Sequence, residues 1–307
     1  MYENLTDKQT LEAFARWYLK GKTIPAEPNG VGLQGKQHDF WNLYDYGGEL
    51  KFVYVKCGFV TRPPREVTKG DRTPTAGEQS ERFAQSISRA KSRIFELAIC
   101  NEFTHFCTFT LDKMKRDRDD LAAFRKAFAQ MVRNLNRARD EKIKYLVIPE
   151  PHEKGGWHMH GLLKGLTAAD LTEFKLSDRI PERIKRTIRA GEKVYNWERY
   201  ARSFGYFTAT EIKNSAACSR YVTKYITKDM SKTVRGSGEH LYFASQGLNG
   251  RQVLAKHSFD APPFDIEKVA KALPNGRVFE NEYCRVITLT VADQEQLFGV
   301  ENAGTKI

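Results

Sequence analysis

The sequence has little that would cross-link it, embed it in a membrane or drive it as a motor. Its five cysteines (Cys57, Cys100, Cys107, Cys218 and Cys284) are odd in number, and no two stand at C-x-x-C spacing. That argues against a disulfide framework and against a cysteine zinc site, and it suits a reducing compartment. No apolar run approaches the ~20 residues that span a bilayer. The first residues, MYENLTDKQT, are polar and acidic, which is not the pattern of a signal peptide. The phosphate-binding signature G-x-x-x-x-G-K-[ST] is missing: Gly21-Lys22-Thr23 has Arg16 where the first glycine should stand. A fused nucleotide-driven helicase is therefore not expected. There is no internal repeat of 20–50 residues.

Negative charge is also in deficit. Lys and Arg number 50 against 38 Asp and Glu, a formal net charge of +12. Such an excess concentrates polyanions and favours counterion release when phosphates bind, so nucleic acid is the leading partner. Core material is sufficient: 40% of the 307 residues are hydrophobic and 12% aromatic. The chain is not of disordered composition, and its length fits one large domain or two smaller ones.

Periodicity gives the organisation. Residues 7–20 have an amphipathic helical pattern, and 49–60 (ELKFVYVKCGFV) are rich in strand formers. Residues 62–79, full of Pro, Gly, Thr and charge, read as a linker. A helix is expected over 81–99, with Phe83, Ile87, Ile94 and Leu97 inward. A buried strand follows at 105–112. A second helix spans 119–139, with Leu121, Phe124, Phe128, Met131, Val132 and Leu135 at helical spacing. Strands at 143–150 and 157–165 flank PHEKGG, a hairpin loop. A basic helical stretch covers 168–190, holding Lys175, Arg179, Arg183, Lys185, Arg186 and Arg189. Then come a strand at 204–213, a helix capped by Asn214 and running to about Met230, and strands at 240–245 and 283–291. This order predicts an α+β domain with helices packed on a largely antiparallel sheet.

Two constellations carry chemistry. His158-Met159-His160 lies within a strand, where side chains alternate faces, so the imidazoles share one side and Met159 takes the other with Trp157 and Gly161. Glu150 ends the preceding strand and comes near the pair if the two strands form a hairpin. Two imidazoles and a carboxylate leave coordination positions open for a phosphate oxygen or water. Mg²⁺ or Mn²⁺ acting as Lewis acid fits that role, although ligand type alone also admits Zn²⁺ or Ni²⁺. His152 and Glu153, in the loop, compete with Glu150 as ligands.

The second constellation is SRYVTKYITKDM. Tyr221 and Tyr225 are four residues apart, hence one helical turn apart on one face. Lys224 and Lys228 each follow a tyrosine by three. A phenol is a weak nucleophile near neutrality, because its ordinary pKa is about 10. Ammonium groups and a nearby cation favour the phenolate and stabilise charge developing on a phosphate. Two tyrosines permit two successive strand transfers.

The segments FCTFTLD, YLVIPEPHEKGGWHMHGLL, SRYVTKYITKDM and HLYFASQGLN together resemble the HUH endonuclease superfamily, and more closely the rolling-circle replication initiators of bacterial plasmids and small phages. The resemblance covers about residues 105–250. It implies an HUH-type fold related to RRM and ferredoxin-like folds, with a central antiparallel sheet and flanking helices. It implies His158, His160 and Glu150 as metal ligands for Mg²⁺ or Mn²⁺. Tyr221 with Lys224 takes the place of the family's Tyr-x-x-Lys nucleophile, and Tyr225, followed by Lys228, that of the second tyrosine of the two-tyrosine subset. The implied activity is nicking of single-stranded origin DNA, at a hairpin, through a 5′-phosphotyrosyl link that frees a 3′-hydroxyl. The implied setting is the bacterial cytoplasm, with a host helicase and polymerase as partners.

The expected division is residues 1–80 as a separate N-terminal region, 81–260 as the nickase domain with an insertion at 166–203, and 261–307 as an extension completing its sheet. Two other readings compete: a relaxase or single-strand transposase sharing the chemistry, and a non-catalytic DNA-binding regulator with a structural histidine site. The second predicts tight binding with no nicking.

Overall fold

A computed structural model describes residues 37–47, 49–59, 76–151, 155–225, 241–258, 268, 276–280 and 284–290. The helix expected over 7–20, most of the linker, His152, Glu153 and Lys228 lie outside them. The chain divides into two compact units: residues 1–71 with 251–307, and residues 72–250. The architecture is α+β with two antiparallel sheets, as the order of elements predicts.

The discontinuous unit holds strands β1 (Gln37–Asp45) and β2 (Glu49–Phe59) from the N-terminal part. It also holds β10 (Gln252–Ser258), β11 (Arg277–Glu280) and β12 (Cys284–Thr290). Their order is β10-β1-β2-β12-β11. The C-terminal strands thus differ from the expectation that they complete the sheet of 81–260: β12 runs along β2, from Cys284 opposite Val55 to Thr290 opposite Glu49. Side-chain alternation gives the reason. Ile287 and Leu289 fall opposite Phe52 and Leu50, and all four are buried. A one-residue slip would turn this apolar row to the other face.

The central unit has strands β3 (His105–Leu111), β4 (Lys144–Pro151), β5 (Trp157–Lys164), β6 (Leu171–Glu173), β7 (Tyr195–Trp197), β8 (Gly205–Glu211) and β9 (Phe243–Ala244). They form one sheet in the order β6-β7-β8-β3-β5-β4-β9. Its helices are α1 (Ala76–Ile99), α2 (Leu121–Asn136), α3 (Glu182–Arg189), α4 (Glu198–Ser203) and α5 (Ser215–Val222). No helix among the described residues is long and apolar enough to cross a membrane.

Each sheet face has its own core. Phe109, Met159 and Phe207 project to one side and meet Phe124 and Phe128 of α2, with Trp197, Tyr200 and Phe204. Leu146, Ile148 and Leu162 project to the other side and meet Ala90, Ile94 and Leu97 of α1 with Val222 of α5. Full burial of a side chain of this size is worth ~1.5–3 kcal/mol, so both faces are strongly held.

The basic stretch 168–190 is not one helix. Asp170 accepts from the Thr167 amide and hydroxyl, and Asp178 accepts from the Lys175 amide. These side-chain turns compete with helix formation. Pro181 then biases Ile180 away from helical backbone, and α3 starts only after it. Glu182 in its first turn and Arg186 and Arg189 in its last suit the helix dipole. In the same way α1 begins at Ala76, inside the expected linker, and only Phe243–Ala244 of the stretch 240–245 pairs as strand.

Candidate functional site

The site is built on the middle of the seven-stranded sheet. β5 lies between β3 and β4. The β4–β5 hairpin puts Glu150 opposite His158 and Ile148 opposite His160. Antiparallel partners share a face, so carboxylate and imidazoles project to the same side, as the alternation predicts. Met159 takes the other side and is fully buried. On the opposite flank Thr110 stands against His158 and Thr108 against His160.

Hydrogen-bond partners orient the rings. The Thr108 hydroxyl lies 3.3 Å from His160 Nδ1, and the Thr110 hydroxyl 3.3 Å from His158 Nδ1. Glu150 reaches diagonally across one residue pair, placing Oε2 3.0 Å from His160 Nε2. Glu150 would favour the charged ring. Burial, the neighbouring His158 and the Arg183 charge oppose it and lower the His160 pKa to about 4. The ring is thus neutral near pH 7, as a metal-ligating imidazole must be.

As they stand, no three or more His, Cys, Asp or Glu side chains among the described residues are placed to hold an ion. The donor chemistry nonetheless suits one. Bonds of ~2.1 Å meeting near a right angle leave neighbouring ligand atoms about 3 Å apart, which is the Glu150–His160 spacing. Threonine hydroxyls at Nδ1 are the partners that fix a ligating ring. Glu150, His158 and His160 are the residues that could hold a divalent cation; His152 and Glu153 lie outside the described residues.

Across from this row sits the phenol pair. Asn214 caps α5, its side chain accepting from the Ala217 amide at 2.8 Å. The α-helix stops at Val222, short of Met230, and a turn of 3₁₀ helix, Thr223–Tyr225, carries the second tyrosine. The Tyr225 hydroxyl donates to the Tyr221 hydroxyl at 2.9 Å. The Tyr225 ring stacks on His160 with centroids 4.0 Å apart, and Phe106 of β3 packs edge-on to Tyr221 at 5.5 Å. Burial and the bond to Tyr221 push the Tyr225 phenol up, so it stays protonated. Tyr221 is the accessible one, at 43% exposure. Lys224 Nζ lies 3.6 Å from the Tyr221 ring centroid, a cation–π contact. The structure therefore brings together Glu150, His160, Tyr221, Tyr225 and Lys224, with His158 in the same row. Lys228 lies outside the described residues.

A cavity of about 220 Å³ opens beside the tyrosines. Thr108 and Thr208 line its sheet side, and Arg183 and Thr187 of α3 form the opposite wall. Thr108, Thr110 and Phe106 are site residues that the motifs do not name, although strict alternation in FCTFTL places all three on one face. Arg183 counts among the basic residues of the 166–203 stretch, but its place beside the site depends on how that stretch folds.

Fold and site together define a class: an α+β domain with an imidazole–carboxylate row on its central strands and two phenols held over it. Residues 104–230 match a protein-family model, that of the replication-associated protein ORF2 family. The matched span takes in Glu150, both histidines, both tyrosines and both lysines, and it lies within the central unit. No curated protein and no solved structure matches the chain.

Proposed function

We propose that the chain is a rolling-circle replication initiator that nicks and rejoins single-stranded origin DNA through a tyrosine. The similarity of residues 104–230 to replication-associated proteins supports the setting. The observation that carries the chemistry is the Tyr221–Tyr225–His160 stack. It aims an exposed phenol, backed by a protonated one, toward the row that would hold a divalent ion.

Tyr221 oxygen attacks the scissile phosphorus. The phosphotyrosyl bond forms, the bond from phosphorus to the 3′-oxygen breaks, and that oxygen leaves as a 3′-hydroxyl after taking a proton. Glu150, His158 and His160 would hold Mg²⁺ or Mn²⁺, which when bound supplies Lewis-acid polarisation of the phosphate. Tyr225 donates its hydroxyl proton as a hydrogen bond to the attacking oxygen, and Lys224 adds positive charge beside the ring. Reversal, with an incoming 3′-hydroxyl attacking the same phosphorus, rejoins a strand and conserves bond energy. Tyr225 provides the second transfer when a new strand end must be captured.

The test is a single-stranded origin oligonucleotide labelled on its 5′-phosphate side of the nick. Cleavage is expected only with divalent metal, with label retained on the protein. Label retained by the Tyr221→Phe, Tyr225→Phe double variant would overturn the assignment.

A further inference from the structure

At the edge of the central sheet remote from the insertion lies a large groove of about 920 Å³. It runs over the β9 edge between α1 and α2. Arg93 comes from α1, Arg125 and Arg133 from α2, and Lys144 from the start of β4, while the segment 241–248 forms its floor. No carboxylate is among its lining residues.

The four cations are not equivalent. Arg93 is paired with Glu96, and Lys144 donates to the Gln246 carbonyl at 2.6 Å. Arg133 donates to the neutral Gln130 amide. Neither Arg125 nor Arg133 is in an ion pair among the described residues. Both charges act on the Tyr145 phenol, opposing the rise that burial imposes on it, so both guanidiniums converge on the Tyr145 wall. Two guanidiniums converging without a carboxylate repel each other unless an anion lies between them. Guanidinium forks match phosphate oxygens.

We infer that this groove binds the sugar–phosphate backbone of DNA flanking the nick, with Arg125 and Arg133 each engaging a phosphate. Lys144 and Glu150 lie on one strand, and at ~3.4 Å per residue they are about 20 Å apart along it. A phosphate in the groove is then roughly six nucleotides from the scissile one, at ~3.4 Å per phosphate along a strand. The groove therefore positions the substrate, and an oligonucleotide too short to reach it is cut without its help. The inference rests on the DNA-handling reading above.

The experiment uses the full chain with Arg125→Gln and Arg133→Gln, singly and together; glutamine keeps helix propensity in α2. Binding of a long origin DNA is measured by anisotropy between 50 and 300 mM salt, in a single-stranded and a hairpin form. Neutralising two phosphate contacts should lower the slope of log K against log salt by about 1.8 on the duplex arm, or by about 1.4 on the single strand. Melting temperature should be unchanged, and so should cleavage of an oligonucleotide reaching only three nucleotides either side of the nick. An unchanged slope on both DNAs would overturn the inference. The binding readout does not depend on cleavage, so absence of nicking in every form would sink the proposed chemistry and leave the groove still tested.

Discussion

The Tyr225 ring lies flat on His160, 16° from parallel, while its hydroxyl donates to Tyr221. One side chain thereby links the row that would hold the ion to the exposed phenol. The link predicts unequal roles for the two tyrosines. Tyr221→Phe should abolish the first covalent adduct. Tyr225→Phe should keep the adduct and slow its formation about 10- to 100-fold, since a hydrogen bond to a charged group is worth ~1.5–3 kcal/mol. Mass mapping of the tyrosine captured by a suicide oligonucleotide checks both; capture on Tyr225 in the wild type would reverse the order.

Thr108 and Thr110 touch the histidines at Nδ1 and nothing that reacts. Replacing them with valine keeps shape and removes the hydroxyl. The Thr108→Val, Thr110→Val variant is expected to bind Mn²⁺ about 10- to 100-fold more weakly, the usual cost of losing such supporting bonds. Titration calorimetry on the DNA-free protein reads this directly, and excess Mn²⁺ should restore much of the cleavage rate. Undiminished affinity would show that the hydroxyls do not orient the rings.

Much of the site was legible because its parts are local. The parity of His158 and His160 follows from strand alternation alone, and six intervening residues sufficed to place Glu150 opposite His158. Tyr221 and Tyr225 follow from helical spacing, although Tyr225 sits in a 3₁₀ turn rather than on an α-helix. What could not be read is non-local. No periodicity states that β3 rather than β8 lies beside β5, and on that depends the contact of Thr108 with His160. Nor does composition distinguish one basic helix from the turns, Pro181 and short helix that place Arg183 at the cavity. The pairing of β12 with β2 joins residues more than two hundred positions apart in the chain, a distance at which sequence pattern is silent.

Among the described residues lining the cavity, Arg183 is the one cation, and the same cavity is lined by His160 and both tyrosines. After burial and His158, its charge helps to lower His160, and it opposes the rise in Tyr225. A guanidinium at that wall can meet a phosphate entering the site, so Arg183→Gln should slow cleavage by about 10-fold or more, as loss of a charge-assisted bond would. Because Arg183 is exposed on α3, melting temperature should hold within a degree or two. Full activity in single-turnover assays would remove α3 from the reaction.

Burial of His160 also makes stability depend on pH. Its folded pKa, about 4, lies below the ordinary 6.5. Above pH 6.5 the ring is neutral in both folded and unfolded chains and adds nothing to the pH slope. As pH falls from 6.5 toward 4 the unfolded chain takes up a proton that the folded one refuses, so stability is lost across that window. The depression corresponds to roughly 3 kcal/mol by pH 4. Denaturant melts in metal-free buffer at pH 7.5, 6 and 4.5 should show this decline, and His160→Gln should flatten it. Added Mn²⁺ should steepen it, because the ion competes with the proton for the same nitrogen and binds only the folded row. An identical slope in wild type and His160→Gln would mean that the ring titrates normally in the folded protein, and that the stack with Tyr225 does not shield it from water.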